Sequence, residues 1–177
     1  MVGGKGVFVD FTKPQARAEW KEMLKRAVLE MGTSSVWNDN CEYDSLVDKD
    51  CRCDFEGKGT SIGYIKAVMS NLMCHVTAEA VEETFENIRP FIVCRSGHAG
   101  IQRYAQTWAG DNLTCWDSLK YNIATILGMS LSGVANQGCD IGASTDRRRK
   151  QSLWCAGFKT VYSSPVSPYT PPTPTTR

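Results

Sequence analysis

Apolar positions change period several times along this chain. Residues 6–11, Gly-Val-Phe-Val-Asp-Phe, form a short apolar run ending near an acid, the pattern of a buried strand. A helix start follows. Thr12 is placed to cap it, Pro14 suits the first turn and Gln15 completes a capping box. Trp20, Met23, Leu24, Ala27, Val28 and Met31 then share one helical face, which Gly32 is placed to end. Residues 34–37 read as a second short strand, closing on Asn38-Asp39. Residues 40–59 form a polar loop rich in Asp, Cys and Gly, long for a compact domain and of a length that often serves function. From about 61 to 85 the period is helical again, with Ile62, Ile65, Met69, Leu72, Met73, Val76 and Ala80 as the buried stripe. Phe91-Ile92-Val93-Cys94 is a continuous apolar run, as in parallel strands buried on both faces, and it stops at Arg95. After a loop at 108–114 a helix is predicted over about 116–127, then a fourth strand at 130–134. The order β-α-β-α-β-loop-α-β predicts a parallel α/β sheet or barrel. Asp10, Asp39, Arg95 and Asp140 recur just past the strands, where α/β folds gather their chemistry.

Length and charge narrow this picture. The 177 residues suit one domain, or a domain plus a tail. The formal net charge of +1 leaves no overall basic field, so neither nucleic acid nor a membrane surface is an expected partner. No apolar run reaches the ~18 residues of a membrane span, and no charged-then-apolar N-terminus marks a signal peptide. Residues 144–177 nevertheless carry +5, against −4 for residues 1–143. The eight cysteines are scattered, without a C-x-x-C pair or a histidine at finger spacing. They read as reduced thiols in a cytoplasmic protein, with no metal and no cofactor implied.

Two carboxylates carry the candidate chemistry. Asp39 follows a strand and lies two residues after Trp37; Asp111 lies in a turn three residues after Trp108. Paired carboxylates with aromatic faces for a sugar's C–H surface are the equipment of glycoside hydrolysis. Either acid alone also fits a local cap or hydrogen-bond acceptor in a turn. Arg95 fits a partner for an acid or a sugar-hydroxyl donor. His75 sits on a helix stripe and reads as packed, whereas His98 lies in a loop and is a candidate pocket residue. Gly3-Gly4-Lys5-Gly6 precedes a strand rather than following one, which is not the setting of a phosphate loop.

Four ordered motifs sharpen this reading. Trp37-Asn38-Asp39-Asn40-Cys41-Glu42 resembles W-x-D-x-N-E, the nucleophile motif of glycoside hydrolase family 31. Residues 89–96, beginning Arg89-Pro90-Phe91, resemble the strand that follows it. Gln102-Arg103-Tyr104 with Trp108-Ala109-Gly110-Asp111-Asn112 resembles the acid/base motif. Leu131-Ser132-Gly133 through Gly138-Cys139-Asp140-Ile141-Gly142 resembles a late barrel strand. The resemblance covers roughly residues 5–142. It implies a partial (β/α)8 barrel, about strands three to seven, in a retaining α-glycosidase acting on terminal α-linked glucosides. By the same resemblance Asp39 is the nucleophile and Asp111 the general acid/base, with Trp37, Arg95, Trp108 and Asp140 lining the sugar subsite. Cys41 departs from the pattern, because the family has Asn there; the thiol is expected to alter hydrogen bonding around the nucleophile.

After Gly142 the resemblance stops. Back-translated with suitable choices at degenerate third positions and shifted by one base, the stretch from Ala143 onward reads Gly-Phe-Tyr-Gly-Pro, which resembles how the family continues, so residues 143–177 are expected to be a frameshifted, disordered tail. The remaining barrel segments are then absent from this chain. Expressed alone, it is expected to be insoluble or molten and inactive, because open barrel edges are aggregation templates. The alternative function is an inactive pseudo-enzyme or sugar-binding fragment.

Overall fold

In a computed structural model, the described residues are 7–140, except 45, 47 and 48, together with residue 156. The expected tail therefore lies outside the described residues, apart from residue 156. The chain divides into two compact units, residues 1–105 and 106–177.

In the first unit, Pro14 opens α1 (Pro14–Ala27), where its missing N–H is one of the groups a helix leaves unpaired anyway. The expected capping box does not form. Lys13 takes the N-cap position without a side-chain bond, and Gln15 donates instead to Glu19. Thr12 is engaged elsewhere: its hydroxyl donates to Asp10 Oδ1 at 2.6 Å and accepts the Phe55 N–H at 2.8 Å. The same acid corrects the strand expected over residues 6–11, since residues 7–10 form none. Asp10 accepts the backbone N–H groups of Thr12 (2.9 Å) and Asp54 (2.6 Å), turning the chain where a ladder would have to run. After α1 the backbone tightens into one 3₁₀ turn, Leu29–Met31, and stops at Gly32 with φ +94°.

Strand β1 (Ser35–Asn38) is joined to its parallel neighbour through a long crossover. β2 (Arg52–Cys53), within the expected loop, and β3 (Thr60–Ser61), just after it, form a short antiparallel pair. Next comes α2 (Ile62–Thr84), then β4 (Phe91–Cys94) in register with β1: Ser35 faces Phe91 and Asn38 faces Cys94. Val36 packs with Leu24, Leu29, Ala80 and Val81. Asn38 donates to Thr77 Oγ1 of α2 at 3.1 Å. Alternation along β4 corrects the expectation of burial on both faces. Ile92 and Cys94 are buried, but Phe91 is 49% exposed, and Trp37 on β1 is 66% exposed. The strand is covered by helices on one side only. A second cluster, Phe11, Tyr43, Cys53, Ile62 and Met69, sits beside the β2–β3 pair, with Phe11 edge-on to Trp20 at 5.5 Å.

In the second unit, β5 (Gln106–Trp108) pairs in parallel with β6 (Gln137–Gly138), Thr107 facing Gln137 and Trp108 facing Gly138. The crossover is α3 (Trp116–Leu131), capped by the Cys115 sulfur, which accepts the Ser118 N–H. The strand expected at 130–134 is corrected. Ser130 and Leu131 complete α3, and Ser132 and Gly133, at φ +87°, turn the chain; β6 begins later. Leu131 is 91% exposed, so no packing held it extended. Strand β5 falls partly in the stretch read as loop. No described helix is long and apolar enough to cross a membrane.

Hydrogen exchange on the 177-residue chain checks this packing. The slowest amides are expected at the buried positions of α2 between Met69 and Val81, among them Cys74, Val76, Thr77 and Ala80, and at Ile92 and Cys94 in β4. Uniformly fast exchange would show that the helix-on-strand core is not formed.

Candidate active site

Register brings the first group of candidates together. Asn38 and Cys94 are partners at the ends of β1 and β4, so the next residues, Asp39 and Arg95, emerge side by side. The Arg95 N–H donates to the Asn38 carbonyl at 3.2 Å, extending the ladder by one rung. Asn40 and Tyr43 have φ of +51° and +61°, and these left-handed positions fold Glu42 back toward the strand ends. Arg95 Nε donates to Glu42 Oε1 at 2.7 Å and Nη2 to Oε2 at 2.9 Å, a bidentate pair. Nη2 also donates to Asn40 Oδ1 at 2.8 Å.

Asp39 Oδ1 lies 3.1 Å from Arg95 Nη1, at ion-pair distance, yet it is buried and accepts no hydrogen bond among the described residues. The guanidinium fork is directed at Glu42, so its attraction for Asp39 is of charge rather than of aligned N–H groups. Asn40 Nδ2 donates to Asp39 Oδ2 at 3.3 Å. The Asp39 side chain is one-third exposed, by 33%, so solvent reaches it through atoms other than Oδ1. Arg95 hydrogen bonding holds the Glu42 carboxyl below its usual range, against partial burial. Glu42 was quoted in the motif but not expected as a site residue; only the turn at Asn40 reveals it.

Cys41 is not placed to alter hydrogen bonding at the Asp39 carboxyl, which corrects the expectation drawn from its departure from the family pattern. It is buried, with its sulfur 3.4 Å from Cys94 Sγ and 3.6 Å from Ser96 Oγ. The carboxyl's own neighbours are Arg95 and Asn40. Trp37 stands on the open face of β1. His75 is half-exposed, stacked on Tyr104 at 4.7 Å and 3.4 Å from Glu79. His98 is exposed, and its backbone N–H is bound by Asn71.

The second unit holds the other candidates. Trp108 ends β5 and is buried. The Ala109 N–H donates to the Gly138 carbonyl at 3.0 Å, and Gly110, at φ +76°, turns the chain so that Asp111 is exposed. Behind this turn Thr107 Oγ1 donates to Gln137 Oε1, a buried polar pair between the strands. Asp140 follows β6. Its carboxyl is raised above the ordinary range, first by partial burial and second by the charge of Asp111, although the residue as a whole is exposed. Asp111 and Asp140 are thus electrostatic neighbours. Among the described residues no group of three or more His, Cys, Asp or Glu is arranged to hold a metal ion.

The sequence profile of the glycosyl hydrolases family 31 TIM-barrel domain matches residues 2–156. The chain belongs to glycoside hydrolase family 31. Among its family 31 relatives, alpha-glucosidase 2 of Bacillus thermoamyloliquefaciens is 31% identical over 144 residues, 78% of this chain and 18% of that protein. An alpha-glucosidase of Saccharolobus solfataricus is 28% identical over 168 residues, 81% of this chain and 24% of that protein. The solved family 31 alpha-glucosidase of Bacteroides thetaiotaomicron is 37% identical, with a TM-score of 0.61 over 75% of this chain and 21% of its own. A Flavobacterium johnsoniae family 31 dextranase, 21% identical with a TM-score of 0.72 over 86% of this chain and 20% of its own, shares the fold. The chain therefore spans about a fifth of the length of these relatives and is a partial α/β barrel domain.

In an NMR pH titration, Glu42 of this family 31 chain is expected to titrate below the ordinary glutamate value near ~4.3. Arg95→Lys should move that midpoint upward, because an ammonium cannot hold both oxygens. The pair's contribution is present above the unfolded glutamate pKa and is lost as pH falls through the lower folded one. An unshifted Glu42 would show that the fork is not closed.

Proposed function

We propose that these residues serve a retaining α-glycosidase that cleaves terminal α-linked glucosides by double displacement. The observation that carries the reading is Asp39 itself, at the carboxyl end of a parallel strand, with one oxygen turned to Arg95 and the side chain still reached by solvent. In this reading Asp39 attacks the anomeric carbon and forms a glycosyl ester. Asp111 protonates the departing oxygen, then takes a proton from the water that hydrolyses the ester. Trp37 and Trp108 offer apolar faces to the sugar, and Arg95 and Asp140 bind its hydroxyls. The α-glucosidases among the relatives support the substrate class. The share of their length that this chain covers supports a second expectation: the 177 residues by themselves turn over no glucoside.

In a protein of family length carrying these motifs, Asp39→Asn is expected to lower kcat on an aryl α-glucoside by several orders of magnitude. Asp111→Asn should be milder there, since a good leaving group needs little protonation. Wild-type rates in the Asp39 variant would remove it as nucleophile. The first product seen by NMR should keep the α configuration, and a β product would exclude double displacement. For the 177-residue chain, no release of the aryl group is expected; measurable turnover would overturn that part of the proposal.

A further inference from the structure

Behind the nucleophile turn lies a cluster of buried thiols that the proposed hydrolysis does not use. Cys41 Sγ and Cys94 Sγ are 3.4 Å apart, the first 2% exposed and the second wholly buried. Cys74 of α2 also hydrogen-bonds Cys94. The pair is separated from a cleft of about 370 Å³ by one serine layer. The cleft walls include Glu42, Lys66, Ser70, Ser96 and Gly97. Ser96 Oγ lies 3.6 Å from Cys41 Sγ, and Ser70 joins Ser96 at 2.6 Å while donating to the Cys41 carbonyl at 2.9 Å.

We propose that Cys41 and Cys94 are an oxidisable dithiol that closes to a disulfide when a small peroxide enters through this cleft. Cys41, the sulfur nearer the cleft, gives up its proton and attacks one peroxide oxygen. The O–O bond breaks, the second oxygen leaves as water with a proton, and Cys41 becomes a sulfenic acid. Cys94 then attacks that sulfur. The S–O bond breaks, the hydroxyl leaves with the Cys94 proton as water, and the S–S bond forms. Two thiols are oxidised by two electrons, and one peroxide is reduced to two waters.

The hydrogen bond with Cys94, then burial, push the Cys41 thiol far up. For Cys94 the bond from Cys41 acts downward, but Cys74 and burial outweigh it and push it up to about 12. Both sulfurs are therefore protonated near neutrality, and the reaction is slow. A disulfide needs ~2.05 Å between sulfurs, so closure draws them together. Cys94 is fixed in β4, and the movement falls on the irregular segment from Asp39 to Glu42. Its effect on catalysis rests on the reading of Asp39 given above; the cross-link itself does not.

The test uses the 177-residue chain and hydrogen peroxide, followed by alkylation of the remaining thiols, proteolysis and mass spectrometry. The expected product is a peptide pair joined through Cys41 and Cys94, lighter by two hydrogens and absent after catalase pretreatment. Cys94→Ser should abolish that pair and leave a Cys41 sulfenic acid that dimedone traps. Because serine in that position also touches the core, the wild-type map decides alone. Alkylated Cys41 and Cys94 beside oxidised Cys51 or Cys115 would overturn the proposal, as would cross-links chiefly between near neighbours such as Cys51 and Cys53. Neither result depends on glycosidase turnover.

Discussion

The guanidinium of Arg95 organises the end of the β1–β4 pair in this barrel segment. Half-buried at the end of β4, it needs compensating charge on several sides. The bidentate bond to Glu42 supplies most of this and draws the Asn40–Tyr43 turn over the strand ends. What remains of its field falls on Asp39. A lysine would place its charge within reach of Asp39 but would not close the turn, because one ammonium cannot match two carboxylate oxygens at once. The position of Asp39 thus depends on Glu42, three places later in sequence, and on Arg95, which follows the neighbouring strand.

Much of this was legible before any coordinates. Long helical stripes identified α1 and α2 because their buried residues repeat over several turns, and the apolar run at Phe91 identified β4. Asp39 and Arg95 stood out because each breaks such a pattern at its end. The first expected strand failed for a local reason: Asp10 binds backbone donors that a strand would share with a neighbour. Strands β5 and β6 are three and two residues long, too short for a period of two to show. Glu42 was hidden because its role depends on two non-glycine residues at positive φ, for which Asn and Tyr give little warning.

Burial of the thiols shows why a departure from a family pattern is best judged from its surroundings. An amide at residue 41 would have to satisfy its donors among sulfurs and serine hydroxyls. A thiol makes weaker demands and packs against Cys94 and Cys74. The three cysteines therefore form a consistent set, in which each is easier to retain while the others are present.

One contact at the cleft rim restricts the routes by which this segment can drift. A Cβ added to Gly97 would sit 2.7 Å from Ile101 Cγ1 and 2.9 Å from its Cβ, and Ile101 is wholly inaccessible. Neither atom is the free end of a flexible chain, so the glycine cannot enlarge first. If Ile101 shrinks beforehand, a side chain at residue 97 gains room toward both the core and the cleft. Substitutions at these two positions are thus coupled: a bulkier residue at 97 is accommodated more easily once a smaller one stands at 101.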